Sequence, residues 1–125
     1  MNGPHASWLA IFLASQLIIG GAHADGLAEA KRALLHRDYT TALQLLQEPA
    51  SAGDPEAQYQ LGSMLQSGLA GTTDAKQAAI WLQRAATQQH RGAAFLLGSL
   101  YEKGDGVAPD LAQANHWYAV AAQLG

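Results

Sequence analysis

One period governs this chain, and it is 36 residues long. The stretch Ala57-Gln58-Tyr59-Gln60-Leu61-Gly62 returns at that offset as Ala93-Ala94-Phe95-Leu96-Leu97-Gly98. In the same register Gly68 meets Gly104, Asp74 meets Asp110, Ala78 meets Ala114, Trp81 meets Trp117, and Ala85-Ala86 meets Ala121-Ala122. Backward, Asp38, Ala42, Leu45 and Ala50 stand 36 residues before Asp74, Ala78, Trp81 and Ala86. A repeat of this length marks an architecture whose unit cannot bury its apolar face alone and must stack on its neighbours. Three units follow: a degenerate one over about residues 26–53, then 54–89 and 90–125.

Each unit reads as two helices. Asp54-Pro55-Glu56 is a helix start: Asp54 accepts from orphan N–H groups, Pro55 suits the first helical position, and Glu56 favours the positive end of the dipole. Tyr59, Leu61 and Leu65, with Met64, recur at helical spacing. Gly68 is placed to end that helix in the left-handed region. Asp74 opens the next helix, with Ala78, Trp81, Leu82, Ala85 and Ala86 as its buried stripe. The third unit repeats this with Phe95, Leu97, Tyr101 and Gly104, then Ala114, Trp117, Tyr118, Ala121 and Ala122. Gly62 and Gly98 fall inside helices, where Gly costs about 1 kcal/mol relative to Ala. A cost taken twice in register predicts close approach by a neighbouring helix. Trp81 and Trp117 supply large buried areas between successive pairs. The fold class expected is therefore an all-α solenoid of about three helix-turn-helix repeats. In the first unit the inter-helix loop shrinks to His36-Arg37-Asp38, and Pro49 stands where the others have Ala, so the second helix there is expected to end early.

The pattern resembles the Sel-1-like repeat, a relative of the tetratricopeptide repeat. Its signature appears in the third unit as Ala93, Leu97-Gly98, Tyr101, Gly104, Gly106-Val107, Asp110, Ala114, Trp117-Tyr118, Ala121-Ala122 and Gly125. The second unit departs at Leu65, Ala70-Gly71 and Leu82, and the first departs most. The resemblance covers about residues 26–125. It implies an α/α solenoid serving as an adaptor or scaffold in protein complexes. It also implies, for bacterial members, export and a place beside envelope, secretion or exopolysaccharide machinery, and for some a role as partners or neutralisers of toxins.

The first 24 residues are different material. No Lys, Arg, Asp or Glu precedes Asp25, and all seventeen charged side chains lie from Asp25 onward. Trp8 to Ile19 is apolar except for Ser15 and Gln16, and it ends in Gly20-Gly21-Ala22-His23-Ala24. An apolar run followed by small-x-small is the form of a secretory signal peptide, with Ala22 and Ala24 in the signal peptidase pockets and Asp25 as the new N-terminus. The run is shorter than the roughly 20 residues a membrane span needs. Met1 to Ser7 carries no Lys or Arg, which a signal usually has. The alternative is an uncleaved amphipathic helix that anchors the chain. The expected location is the periplasm or beyond the cell, membrane-anchored if the leader stays. With no cysteine, lipidation, disulfides, thiol catalysis and thiolate metal sites are excluded.

Chemistry is sparse. A net charge of −3 with scattered basic residues gives no stripe for nucleic acid. His36, His90 and His116 form no His-x-x-x-His pair and are read as loop and helix-surface residues, so no metal site is indicated. Gly104-Asp105-Gly106 follows a helix and lacks a Gly-Lys-Ser/Thr, so it is read as a turn and not as a phosphate loop. Glu102, Asp105 and Asp110 are too thin a ligand run for calcium. No serine has a Gly-x-Ser-x-Gly setting. Neither catalysis nor a cofactor is expected. A small hydrolase acting on cell-wall compounds or β-lactams is the least favoured alternative. It needs convergent groups that the sequence does not show, and the family branch linked to β-lactams is cysteine-rich.

The remaining candidates form a surface. Gln58/Ala94, Gln60/Leu96, Ser63/Ser99 and Gln66/Glu102 are equivalent pairs on first helices, which in such solenoids line the concave face. They vary while the packing positions stay fixed. Gln58, Gln60, Ser63, Gln66, Leu96, Ser99 and Glu102 are thus the expected partner-binding face, against the plainer reading of a solvated helix face. After the last Ala-Ala stripe no polar capping helix follows, so an open end near Trp117, Tyr118, Val120 and Leu124 is expected to self-associate or dock a partner. The functional expectation is an exported interaction module in an envelope complex. The main alternative is an immunity or chaperone-like protein that caps an exported effector.

Overall fold

Aspartates and glycines punctuate the helices where the repeat places them. In the computed structural model, Asp54 accepts from the N–H groups of Glu56 and Ala57. Asp74 accepts from Gln77 N–H and Asp110 from Gln113 N–H. Gly68 and Gly104 close their helices in the left-handed region at φ 72°. The structure describes residues 25–125. The predicted leader, with Ala22 and Ala24, lies outside the described residues.

Among the described residues there are six helices and no strand. They are α1 over residues 25–35, α2 (Tyr39–Ser51), α3 (Pro55–Ser67), α4 (Ala75–Thr87), α5 (Arg91–Lys103) and α6 (Leu111–Leu124). From α2 onward each helix packs on the next in chain order, and the first helices α3 and α5 also touch directly. Short connections between helices enforce that neighbour-on-neighbour stacking, so the chain is an all-α solenoid. The loops repeat in detail. Asp74 N–H bonds the Leu65 carbonyl and Asp110 N–H that of Tyr101. Between units, Asp54 N–H bonds Pro49 O and His90 N–H bonds Ala85 O.

The core forms two joined layers. Ala30, Ala33, Ala42, Leu46, Leu61 and Met64 make the first, with Trp81 packed against it. Leu82, Ala85, Ala93, Leu97, Leu100 and Trp117 are central to the second. Leu46, Leu61, Leu82, Leu97 and Leu100 are fully buried, each contributing about 1.5–3 kcal/mol by transfer from water. The helical glycines are contact points. A Cβ on Gly62 would stand 2.8 Å from Leu82 Cγ, and one on Gly98 would stand 2.9 Å from Tyr118 Cδ1 and 3.1 Å from the Ala114 carbonyl.

Three expectations are corrected. Pro49 does not end α2 early, because the helix runs on to Ser51, the equivalent of Thr87 at the end of α4. The missing N–H costs one ladder bond near the C-terminus, while the Pro49 ring is fully buried and Ala52 N–H still reaches Glu48 O. Trp81 is only half-buried, with the Arg84 guanidinium 4.9 Å over its ring, whereas Trp117 is 7 % exposed. Trp117 therefore belongs to the core and not to an open end. Phe95, expected in the buried stripe, is 57 % exposed.

Candidate protein-binding surface

The first helices α3 and α5 present polar and apolar side chains at matching positions. Gln60, Ser63 and Gln66 lie three residues apart on α3, and Leu96, Ser99 and Glu102 repeat that spacing on α5. Residues three and four apart share a helix face. Of these six, Glu102 is exposed and the others are half-buried. Gln58 does not join them. It is 3 % exposed, donates from Nε2 to the Ala50 carbonyl at 3.1 Å and accepts from Gln88 Nε2 at 2.8 Å. Its equivalent, Ala94, is fully buried. Position 58 is a packing position in both units, and its polar side chain bonds α3 to the ends of α2 and α4. Buried polar groups are retained when bonded in this way.

At one end of the face, Glu56 gathers two donors. Gln60 Nε2 donates to Oε1 at 2.9 Å, and His90 Nε2 lies 2.7 Å from Oε2. Burial pushes the Glu56 carboxyl upward, but the bonds from Gln60 and His90 and the positive field of His90 and Lys31 outweigh it, so the net displacement is downward. His90 corrects the surface-histidine expectation. Its side chain is 19 % exposed. It caps α5 by accepting from Ala93 N–H at Nδ1, and it stacks on Tyr59 with ring centroids 4.4 Å apart. Its other ring nitrogen, Nε2, faces Glu56.

At the other end the face runs into a groove of about 700 Å³ between α5 and α6, lined by Arg91, Phe95, Glu102, Tyr118, Ala121 and Ala122 among others. Phe95 leans on Tyr118 with centroids 5.5 Å apart. The Tyr118 hydroxyl donates to Glu102 Oε2 at 2.6 Å. That bond, with burial and the carboxylate charge, raises the phenol's pKa, against a smaller pull from Ser99. The groove repeats, one unit on, the seat that α5 takes against α3 and α4. The equivalent of Phe95 is Tyr59, and there His90 stacks on the ring while Gly92 approaches it within about 3.0 Å of a built Cβ. Glu102 thus joins the expected face to a groove whose Phe95, Ala121 and Ala122 the sequence assigns to core packing and whose Tyr118 it also places at an open end. The available signal was the Tyr59–Phe95 equivalence, whose cover in the second unit comes from the third.

Among the described residues no group of three or more His, Cys, Asp or Glu side chains is placed to hold a metal ion. No described helix is long and apolar enough to cross a membrane.

Known proteins share this arrangement. The Sel1 repeat model matches residues 55–90 and 92–125. An exopolysaccharide production negative regulator of Rhizobium meliloti (strain 1021) is 41 % identical over 69 residues, covering 54 % of this chain and 26 % of that protein. A Sel1 repeat protein from Oxalobacter formigenes superposes with a TM-score of 0.73 at 31 % identity, over 78 % of this chain and 40 % of that one. A protective antigen of uropathogenic Escherichia coli strains with an SLR fold gives 0.74 at 30 % identity, over 90 % of this chain and 24 % of that one. The chain thus spans between about a quarter and two fifths of the length of these relatives. Two family-model matches that together cover more than half of its residues place this chain in the Sel1 repeat family, whose repeats are protein-interaction modules.

Proposed function

We propose that this protein is an adaptor that holds a partner protein on the face of α3 and α5, without catalysis, in an exported or envelope-associated complex. The observation that carries the reading is the division of labour within the repeat. Positions 57, 61, 93 and 97 are fully buried, whereas Gln60/Leu96, Ser63/Ser99 and Gln66/Glu102 keep accessible surface and differ in chemistry. Packing positions hold the solenoid, and the variable row is free to select a partner. Export rests on the apolar leader and its Ala22-x-Ala24 motif. The likeness to an exopolysaccharide regulator supports an envelope setting.

The test is affinity capture with the full chain against a variant carrying Ser63→Arg and Ser99→Arg. Loss of a specific partner by the variant, with its helical signal and melting temperature unchanged, supports the reading. Equal capture by both proteins sinks it. Fractionation of the expressing cell, with the N-terminus of the recovered protein sequenced, tests export: a chain starting at Asp25 in the periplasm is expected.

Self-association is a second reading, favoured by the exposure of Phe95 over the α5–α6 groove. A concentration-dependent dimer abolished by Phe95→Glu is its expected outcome, and a monomer at high micromolar concentration removes it.

A further inference from the structure

A second groove lies away from the first-helix face. It runs along α4, where Lys76, Ile80 and Arg84 are spaced four residues apart and line one wall. Leu97 and Tyr101 of α5 and Val107 of the last loop line the other, around a volume of about 480 Å³. Lys76 and Arg84 are both exposed, and Ile80 is 44 % exposed between them. The shape of the groove is fixed by a close backbone approach. Gly106, at φ 75°, lies so near the Ala75 carbonyl that a Cβ there would overlap it, which pins the loop against the start of α4.

The charge of the groove has one sign. No carboxylate lines it, although the chain carries a net charge of −3. Neither Lys76 nor Arg84 makes an ion pair among the described residues. Asp105 lies next to Gly106 in the chain but is not among the lining residues. The Arg84 guanidinium sits 4.9 Å over the Trp81 ring, which restricts its rotamers before any ligand arrives. Two cations eight residues apart on a helix stand about 12 Å apart along its axis. In an extended peptide, residues i and i+4 share one face and lie about 13 Å apart, with i+2 pointing the same way between them.

We propose that this groove binds an extended acidic peptide segment of a second protein, of the form acidic-x-apolar-x-acidic. The carboxylates pair with Lys76 and Arg84, and the central apolar side chain rests on Ile80 and Val107. The site is separate from the α3–α5 face, so the two surfaces would let one short solenoid join two chains. Complementary charge supplies register and salt-dependent encounter, and the apolar wall supplies the buried area.

The experiment is fluorescence anisotropy of the full chain with a labelled Gly-Glu-Ser-Leu-Ser-Glu-Gly peptide. Saturable binding is expected, weakening severalfold between 50 and 300 mM salt by screening, on the order expected for two exposed ion pairs. Lys76→Gln with Arg84→Gln should reduce affinity about tenfold or more, the sum of two modest pairs. Replacing the peptide's Leu with Gly should do the same, and Ser63→Arg with Ser99→Arg should leave affinity unchanged. Absence of saturable binding to the native chain overturns the proposal. So does equal binding by the Lys76/Arg84 variant, or by the Leu-to-Gly peptide. Loss of binding in the Ser63/Ser99 variant would transfer the site to the first-helix face. All four substituted positions keep solvent access and none is fully buried, so circular dichroism and melting separate loss of binding from loss of fold.

Discussion

Three contacts converge on the His90 ring, two of them tying the third unit to the second. It caps α5, stacks on Tyr59 and reaches Glu56. A cap, a hydrogen bond to a carboxylate and an aromatic contact are each worth about 1 kcal/mol. His90→Ala is therefore expected to lower unfolding free energy by about 2–3 kcal/mol in urea titration, allowing for non-additivity. His90→Asn, which keeps a capping oxygen, should lose less. Glu56 gives the pH dependence. Its folded pKa lies below the ordinary carboxylate value, so its contribution is complete above the unfolded value and disappears as pH falls through the folded one. Glu56→Gln should flatten the acid limb of the stability curve below about pH 4.5 while leaving its neutral-to-basic shape unchanged. An acid limb identical in both proteins would remove Glu56 from that role. Gln58 makes a different kind of bond, from inside the core. Gln58→Ala is expected to cost about 1–2 kcal/mol by removing one of the two bonds to the Ala50 carbonyl, which keeps Gly53 N–H, and by loosening Gln88. It should leave partner capture unaltered, which separates core from surface within one helix.

At the scale of the element, the helices are short and depend on their ends and their neighbours. Isolated helices of 13 residues are marginal in water, so caps and packing decide whether they form. Asp110→Ala should cost about 1 kcal/mol, read as a lower melting temperature with no change in far-ultraviolet signal per folded molecule. Gly98→Ala tests packing against propensity. Alanine gains about 1 kcal/mol in helix propensity, but its Cβ would meet Tyr118 and the Ala114 backbone. Overpacking of this kind costs about 1–3 kcal/mol, and a backbone neighbour yields less than a side chain. Net destabilisation is expected, and a stabilised variant would show that α6 sits more loosely than described. Pro49 shows the same contest resolved the other way, since burial of its ring outweighs one lost bond near a helix end.

Across the whole molecule, stacking turns one repeated unit into inequivalent positions. Tyr59 is covered by His90 and Gly92 of the next unit, while its counterpart Phe95 faces the α5–α6 groove. Ala86 is buried, while Ala122 is exposed. Trp81 and Trp117 share a register yet differ in burial. These differences place two accessible surfaces on one short solenoid: the polar row of α3 and α5 with its adjoining groove, and the cationic groove along α4. A partner held only on the first should be insensitive to Lys76→Gln and Arg84→Gln. Capture by that variant is the measurement that checks their independence.

The sequence by itself determined the helices and their order, and their limits where caps and glycines mark them, though not the end of α2 beyond Pro49. Caps such as Asp54, Asp74 and Asp110, left-handed glycines such as Gly68 and Gly104, and the interior glycines Gly62 and Gly98 act through local backbone geometry or through a repeat that displays its own equivalences. The all-α solenoid was legible for that reason, as was the Ser63/Ser99 and Gln66/Glu102 row, since a period of 36 puts packing and surface positions in register. What only the tertiary structure decided is which equivalent positions are covered. Periodicity specifies the face a residue lies on, but not whether another helix reaches it. Gln58 looked like surface because it is polar, yet it is buried by its bonds to Ala50 and Gln88. His90 looked like a loop residue, yet it is fixed by Tyr59 and Glu56 from 31 and 34 residues away. The cationic groove joins α4 to a loop more than twenty residues later. Contacts across units depend on stacking distance, and that distance is set by the side chains of two helices together.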